Sequence, residues 1–389
     1  MKITDVRVQL LADPIPKERQ WRSDLGVKVK NEAVLVFIDT DEGVTGIGSS
    51  VGGAEAIAAI IESQFKPALL GEDPMFSERA WEKMYDGSRW KPSLDRGYSQ
   101  PGHGRRGETL HAIAGVDIAI WDLKAKALGL PVYKLLGASR DRVRAYGSGG
   151  WAPGDEAGPE MAGYAAKGFS AVKMRAEGRD GFSIAKSIHR ISKAREAIGP
   201  DIELMVDAHG SLDVSTAIRL AKRMEDLDVA WFEEPISPDD HRGLAEVRQA
   251  TSVPIATGER ETTRFDFEDL FTHRAVDIVQ PDIAIAGGFT EVRRIAAMAS
   301  ARGLRLAPHA WGSGILFAAS IHVAMAAQNC HILEVSQGYM PLMYEMFEEP
   351  FDVRDGYVYP PDGPGLGFTL RSDLADRFPW VPGPDYVYE

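Results

Sequence analysis

From about Val143 onward, short apolar runs that each end in a polar residue recur along the chain: SAVKM, IELMVD, VAWFEE, IATGE, DIVQPD, RLAPHA and HILEVS. With Lys173, Asp207, Glu233, Glu259, Asp282, His309 and Glu334 taken as the ends, successive intervals lie between 23 and 34 residues. A strand, its crossover helix and two loops need roughly 30 residues. Runs this short and this apolar suit parallel strands buried on both faces. The repetition therefore predicts an α/β chain whose seven units close into a (β/α) barrel, the architecture in which strand C-termini carry the active site.

The residues ahead of the repeats read as α+β. Val34, Val36 and Ile38, the turn DTDEG, then Val44 and Ile47 predict an antiparallel hairpin. In GETLHAIAGVDIAIWDLKAKALGLP the apolar residues Ile113, Val116, Ile120, Leu123 and Ala127 recur at helical spacing, and Gly129 and Pro131 close the helix. Trp121 and Asp122 within it are read as packing and capping residues. The tail from GYVYPPDGPGLGFTL onward is rich in Gly, Pro and aromatics and is expected to pack back on the first part. The expected units are a capping domain over 1–130, a barrel over 131–340 and a returning segment over 341–389.

A net charge of −13 argues against a nucleic-acid or anionic-membrane partner, so an anion would have to be held by a local cluster of cations or a metal. The single cysteine, Cys330, excludes an internal disulfide and suits a reducing cytoplasm, and its neighbours HVAMAAQNCHILEV make it a buried structural thiol. The N-terminus MKITDVRVQLLADPIP lacks the apolar core of a signal peptide, and no apolar run is long enough for a membrane span, so a cytoplasmic location is expected.

Asp207, Glu233 and Glu259 end three successive strands, so their carboxylates converge at the barrel mouth and repel one another unless a cation intervenes. An all-oxygen ligand set suits a hard divalent ion, and Mg²⁺ keeps positions for water or substrate oxygens. His309 and Asp282 end adjacent strands, and a carboxylate beside an imidazole fixes its tautomer and makes a general base. In AVKMR, strand alternation points Lys173 and Arg175 to one face. His209 shares a face with Asp207 and can serve either as proton donor to a leaving oxygen or as a metal ligand. Glu334 is read either as a protonated donor to a substrate carboxylate or as the buried partner of a nearby Lys or Arg.

The runs VKMR, VDAHG, WFEEP, TGERE, QPDIAIAGG, APHAWGSG and ILEVS, with GVDIAIWDLKAKALGLPVYKLLG and GPGLG, resemble the mandelate racemase subgroup of the enolase superfamily. The resemblance covers nearly the whole chain. It implies a modified TIM barrel, (β/α)₇β, with an α+β capping domain made from both chain ends. It also implies Mg²⁺ on Asp207, Glu233 and Glu259, a His309–Asp282 base, Lys173 as carboxylate anchor and Glu334 as acidic donor. Such enzymes remove the proton α to a carboxylate and hold the enediolate on the metal. The resemblance also suggests a homo-oligomer.

Two residues depart from the racemase pattern. Where the racemase carries a second lysine as its second base, this chain has Arg175, which cannot readily release a proton near neutrality. Where the racemase has Asn, this chain has His209, as the family's aldonate dehydratases do. The sequence thus points to a sugar-acid dehydratase working with one base, with a racemase, epimerase or cycloisomerase as the alternative. His309 is the alternative to His209 for protonating the leaving hydroxyl. Substrate contacts are expected from the capping domain, at Trp21, Arg22, His103, Arg105 and Arg106.

Overall fold

The computed structural model describes residues 1–23, 26–102 and 105–388. The N-terminal part is built on a three-stranded antiparallel sheet of Ile3–Pro14, Lys30–Thr40 and Thr45–Ser50. The expected helix runs Glu108–Ala127 and lies against that sheet at very short range. A Cβ on Gly46 would stand 2.1 Å from the Ala119 carbonyl oxygen, and one on Gly48 would stand 2.0 Å from that of Gly115. Only glycine permits this approach.

Asp122 and Trp121 are packing residues, as expected. The buried Asp122 carboxylate accepts the Ile47 N–H at 2.8 Å and the Leu366 N–H at 2.7 Å, joining sheet, helix and C-terminal segment. Trp121 Nε1 donates to Thr290 Oγ1 at 2.8 Å.

The barrel follows. Among the described residues it has eight parallel strands: Val143–Ser148, Ala171–Arg175, Glu203–Asp207, Val229–Glu233, Ile255–Thr257, Ile278–Val279, Arg305–Leu306 and Leu333–Ser336. The first and last pair with each other, and a parallel bridge between Leu306 and Cys330 closes the remaining gap. Seven strands are those marked by the repeat. The additional one, Val143–Ser148, ends in a serine and so lacks the ionisable mark by which the others were found.

The barrel interior holds one apolar layer of Tyr146, Ala171, Met205, Trp231, Ala256, Ile278, Ala307 and Ile332, all buried. Because strand side chains alternate, residues two positions on point into the same interior, one level higher. That level is Ser148, Lys173, Asp207, Glu233, Gln280, His309 and Glu334, and seven positions of one register therefore floor the site. The eighth would be Gly258, whose φ of +129° breaks the alternation and turns Glu259 inward instead. A Cβ there would meet the Phe267 ring at 2.9 Å.

The C-terminal segment touches both parts. Val353–Arg354 and Tyr357–Val358 form a hairpin whose second strand pairs with Val143–Arg144, and Tyr386–Val387 pairs antiparallel with Val27–Lys28. His322 fixes this arrangement from the barrel helix Gly314–Ala326. Its Nδ1 accepts the Tyr133 N–H and its Nε2 donates to the Leu366 carbonyl, both at 3.1 Å. Burial holds the His322 imidazole down at about 4 and that of His331 at about 4.

A histidine whose pKa is depressed by folding is neutral in both states above its unfolded value, and its stabilising effect is lost as pH falls from there toward the folded value. Stability is therefore expected to drop between pH 6.5 and 4, with His322 contributing about 3 kcal/mol at the low end. Urea unfolding at pH 7 and pH 4.5 checks this, and His322→Gln should flatten the difference.

No helix among the described residues is long and apolar enough to cross a membrane. Cys330 is buried, and burial pushes its thiol up to about 12, as a structural cysteine requires.

Candidate active site

The strand ends enclose a cavity lined by Ser148, Lys173, Arg175, Asp207, His209, Glu259, His309 and Glu334 below and by Trp21, Trp151, Trp311 and Tyr386 above. Register brings the charged groups level: Arg175 pairs with Asp207, and Asp207 with Glu233. Lys173 is buried and forms ion pairs with Glu233 and, at 3.1 Å, with Glu334. Burial opposes its charge, but Glu233 and Glu334 override that and hold its pKa well above the ordinary lysine value. Arg175 Nη1 donates to Asp207 Oδ2 at 2.5 Å. Burial alone would raise Asp207, yet Arg175, Lys173 and His209 hold it down at about 2.

Glu233 is fully buried, and burial lifts its carboxyl to about 7 despite Lys173. Its Oε2 accepts from Trp231 Nε1 at 2.9 Å and Gln280 Nε2 at 2.7 Å. Glu259 is 6% exposed, and its ion-pair contacts among the described residues reach His209 Nε2 at 3.7 Å and His309 Nε2 at 3.6 Å. Both are longer than hydrogen bonds. An under-bonded carboxylate at the cavity wall, beside two more that pair with Lys173 and Arg175, is the donor set a hard cation would satisfy. The residues present therefore fit a divalent ion with oxygen preference.

His309 and Asp282 meet as expected. His309 Nδ1 lies 2.6 Å from Asp282 Oδ2, and the strand-end backbones of the two residues also bridge. Asp282 is itself fixed, its Oδ1 accepting the Ala284 N–H at 2.7 Å as the cap of the turn Ile283–Ala286. This leaves Nε2 of His309 facing the cavity. Burial works against its charge, but Glu259, Glu334 and Asp282 raise its pKa well above the ordinary value.

His209 sits in the left-handed region at φ +52°, uncommon for a residue with a side chain. The conformation is held by its own N–H donating to Asp207 Oδ1 at 2.7 Å and its carbonyl accepting from Arg260 Nη2 at 2.8 Å. Strain of this kind is kept where the surroundings over-determine it, commonly at functional positions. Glu334 pairs with Lys173 and accepts the Ala310 N–H at 3.0 Å. Burial would raise its carboxyl, but Lys173 and His309 bring it below the usual range. The pairing with Lys173 is the contact named in the second of the two expectations.

Of the predicted substrate contacts, Trp21 lines the cavity and Arg22 lies at its rim with Trp151, Arg175 and Glu177. Arg105 and Arg106 belong elsewhere. Arg105 donates to Gln64 Oε1 at 2.9 Å and covers the Phe65 ring, and Arg106 donates to the Tyr85 hydroxyl at 3.0 Å. His103 lies outside the described residues.

Sequence reasoning missed Ser148, Trp151, Trp311 and Tyr386. Trp311 was within reach of it, being two residues past His309 on the same alternation. Trp21, Trp151 and Trp311 form a mutual cluster with ring centroids 5.7, 6.4 and 6.3 Å apart.

An eight-stranded barrel capped by an α+β unit, with three acidic strand ends facing a His–Asp pair, defines a barrel enzyme with a carboxylate-built centre. The chain belongs to the mandelate racemase / muconate lactonizing enzyme family of the enolase superfamily. The description "Mandelate racemase / muconate lactonizing enzyme, N-terminal domain" matches residues 7–137, and "Enolase C-terminal domain-like" matches residues 157–374.

Among its relatives, the D-galactarolactone cycloisomerase of Agrobacterium fabrum is 34% identical over 97% of this chain and 99% of its own length. The arabinonate dehydratase of Saccharolobus solfataricus is 35% identical over 89% of this chain and 90% of its own. The solved structure of a racemase from Streptomyces coelicolor with bound magnesium superposes with a TM-score of 0.84 at 30% identity, covering 97% of this chain and 99% of that one.

Proposed function

We propose that the chain is a Mg²⁺-dependent dehydratase of an aldonate or aldarate, a hydro-lyase giving a 2-keto-3-deoxy acid. Asp207, Glu233 and Glu259 would hold the ion, which supplies the positive charge against which the substrate carboxylate and its developing negative charge are stabilised. Lys173 anchors the same carboxylate. With an ion on Glu259 offsetting the carboxylate that most raises its pKa, His309, oriented through Nδ1 by Asp282, takes the α-proton on Nε2. The β-hydroxyl then leaves with a proton from His209, or from His309 if both steps occur on one face. Glu334 balances Lys173 and stands beside the base. A small carboxylate substrate, a homo-oligomer and a cytoplasmic location complete the reading.

The observation that carries it is Arg175. Its guanidinium is locked on Asp207 and cannot act as the second base that racemisation needs. The test is a stereochemically complete acid-sugar library with Mg²⁺, run in D₂O. Turnover should yield 2-keto-3-deoxy acids, and recovered substrate should carry no inverted, deuterated carbon. Inverted, deuterated substrate would defeat the one-base assignment. No turnover on any mono- or diacid sugar would defeat the dehydratase. Arg175→Lys is expected to lower dehydration about tenfold or more while introducing solvent deuterium into recovered substrate.

One observation favours the cycloisomerase alternative. Three indoles offer apolar faces that suit the C–H face of a ring better than a fully hydroxylated open chain. The chemistry at His309 is unchanged: the leaving β-oxygen is then a ring oxygen instead of a hydroxyl. Under this alternative, sugar lactones and anhydro acids should turn over faster than their open-chain forms. Trp311→Ala should raise KM for the cyclic form at least tenfold with kcat little changed. Equal KM effects on both forms would remove the argument.

A further inference from the structure

A second group of metal-ligating side chains lies outside the cavity. His241 begins the helix His241–Ala250, and Asp269 and His273 stand one turn apart at the end of the helix Thr263–Thr272. His241 Nδ1 is 2.7 Å from Asp269 Oδ2, and His273 Nδ1 is 3.6 Å from the same oxygen. One ligand atom from each of the three residues lies within 4.8 Å of the others. His273 Nδ1 also lies 3.0 Å from the backbone carbonyl oxygen of Asp269.

The other edge of His241 separates this group from an ordinary surface ion pair. Its Nε2 is 2.8 Å from Glu261 Oε1, and the Glu261 side chain is only 8% exposed. A buried carboxylate on one ring nitrogen fixes the tautomer and turns the other nitrogen toward a cation, the arrangement that orients metal-binding histidines. An ion pair would need one imidazole and one carboxylate. Here a second imidazole is added one helical turn from the shared carboxylate, and an orienting carboxylate is added behind the first.

We propose that His241, Asp269 and His273 bind a transition-metal ion of the Zn²⁺ class, with Glu261 as the residue that positions His241. Two nitrogen donors and one oxygen donor suit a borderline-soft ion and disfavour Mg²⁺. The ion takes the place of the proton shared by His241 Nδ1 and Asp269, which passes to solvent. It clips the start of one helix to the end of the next and keeps an open position for water. This site is independent of the dehydratase reading, since none of its three ligands lines the cavity.

The test adds Zn²⁺ to the Mg²⁺-saturated full chain, with chelator competition for affinity and anomalous diffraction at the zinc edge for position. One Zn²⁺ per chain is expected, with its peak between His241 and His273. His273→Ala should erase that peak, and Glu261→Gln should weaken binding about 10–100-fold. Turnover of the Mg²⁺-loaded enzyme should be unchanged in His273→Ala. The Tm of His273→Ala without Zn²⁺ should match the parent chain, and Asp269→Asn, at an exposed position, provides the same readout if His273→Ala lowers it. No Zn²⁺ uptake beside Mg²⁺, a peak elsewhere, or a peak that survives both substitutions would overturn the proposal.

Discussion

His309→Asn is expected to lower kcat by about 10²–10⁴-fold, the range for loss of a positioned general base. Exchange of the α-proton with solvent should vanish with it, while KM for the sugar acid stays within a few-fold. The geometry sets this split. Asp282 holds Nδ1 at 2.6 Å, so only Nε2 can meet substrate, and asparagine offers an amide that cannot take a proton. Lys173, the proposed carboxylate anchor, and the three acidic strand ends proposed to hold the ion are untouched. Asp282→Asn should fall in the same direction by disturbing the tautomer. Undiminished turnover in His309→Asn would mean that the base is elsewhere.

Lys173→Met should damage the fold as well as the activity. Lys173 is the shared counter-cation of Glu233 and Glu334, and all three side chains are 4% exposed or less. Removing one partner of a buried pair leaves uncompensated charge and costs about 3–5 kcal/mol. Two stranded carboxylates put the expected loss at the upper end of that range, with the proposed substrate anchor gone as well. Chelator-treated Lys173→Met is therefore expected to unfold at markedly lower urea than the chelator-treated parent, and Mg²⁺ should restore part of the difference. A variant of parental stability in chelator would mean that Glu233 and Glu334 take up protons freely in its absence. The coupling drawn here between anchor and acidic cluster would then fail.

Much of the site was legible because two periodicities coincide. The crossover length recurs from unit to unit, and the two-residue alternation puts the same side of every strand end toward the axis, so Lys173, Asp207, Glu233, His309 and Glu334 declare themselves. Glu259 is off that alternation and was found through its interval alone; the turn at Gly258 that brings it inward is a backbone event. Ser148 escaped because a hydroxyl carries no charge signal.

The aromatic roof escaped for a different reason. Tyr386 reaches the cavity through pairing of Tyr386–Val387 with Val27–Lys28, a contact spanning almost the whole chain that no local pattern encodes. Arg105 and Arg106 looked like substrate contacts because exposed arginines in a Gly-rich stretch do. Their partners, Gln64 and Tyr85, lie on segments that only tertiary folding brings near.

That late pairing has a bearing on biosynthesis. Trp21 and Tyr386 lie at opposite ends of the barrel sequence, with all of its strands made between them, yet both wall one cavity. A nascent chain could assemble its barrel floor, with base, anchor and acidic cluster in place, well before the wall is complete. Through that interval the pocket would stand open to water on one side, its reactive groups present but unscreened. Competence would then arrive in one step as Tyr386–Val387 docks on Val27–Lys28, and a substitution or insertion beside Tyr386 would act on catalysis from far outside the barrel repeats.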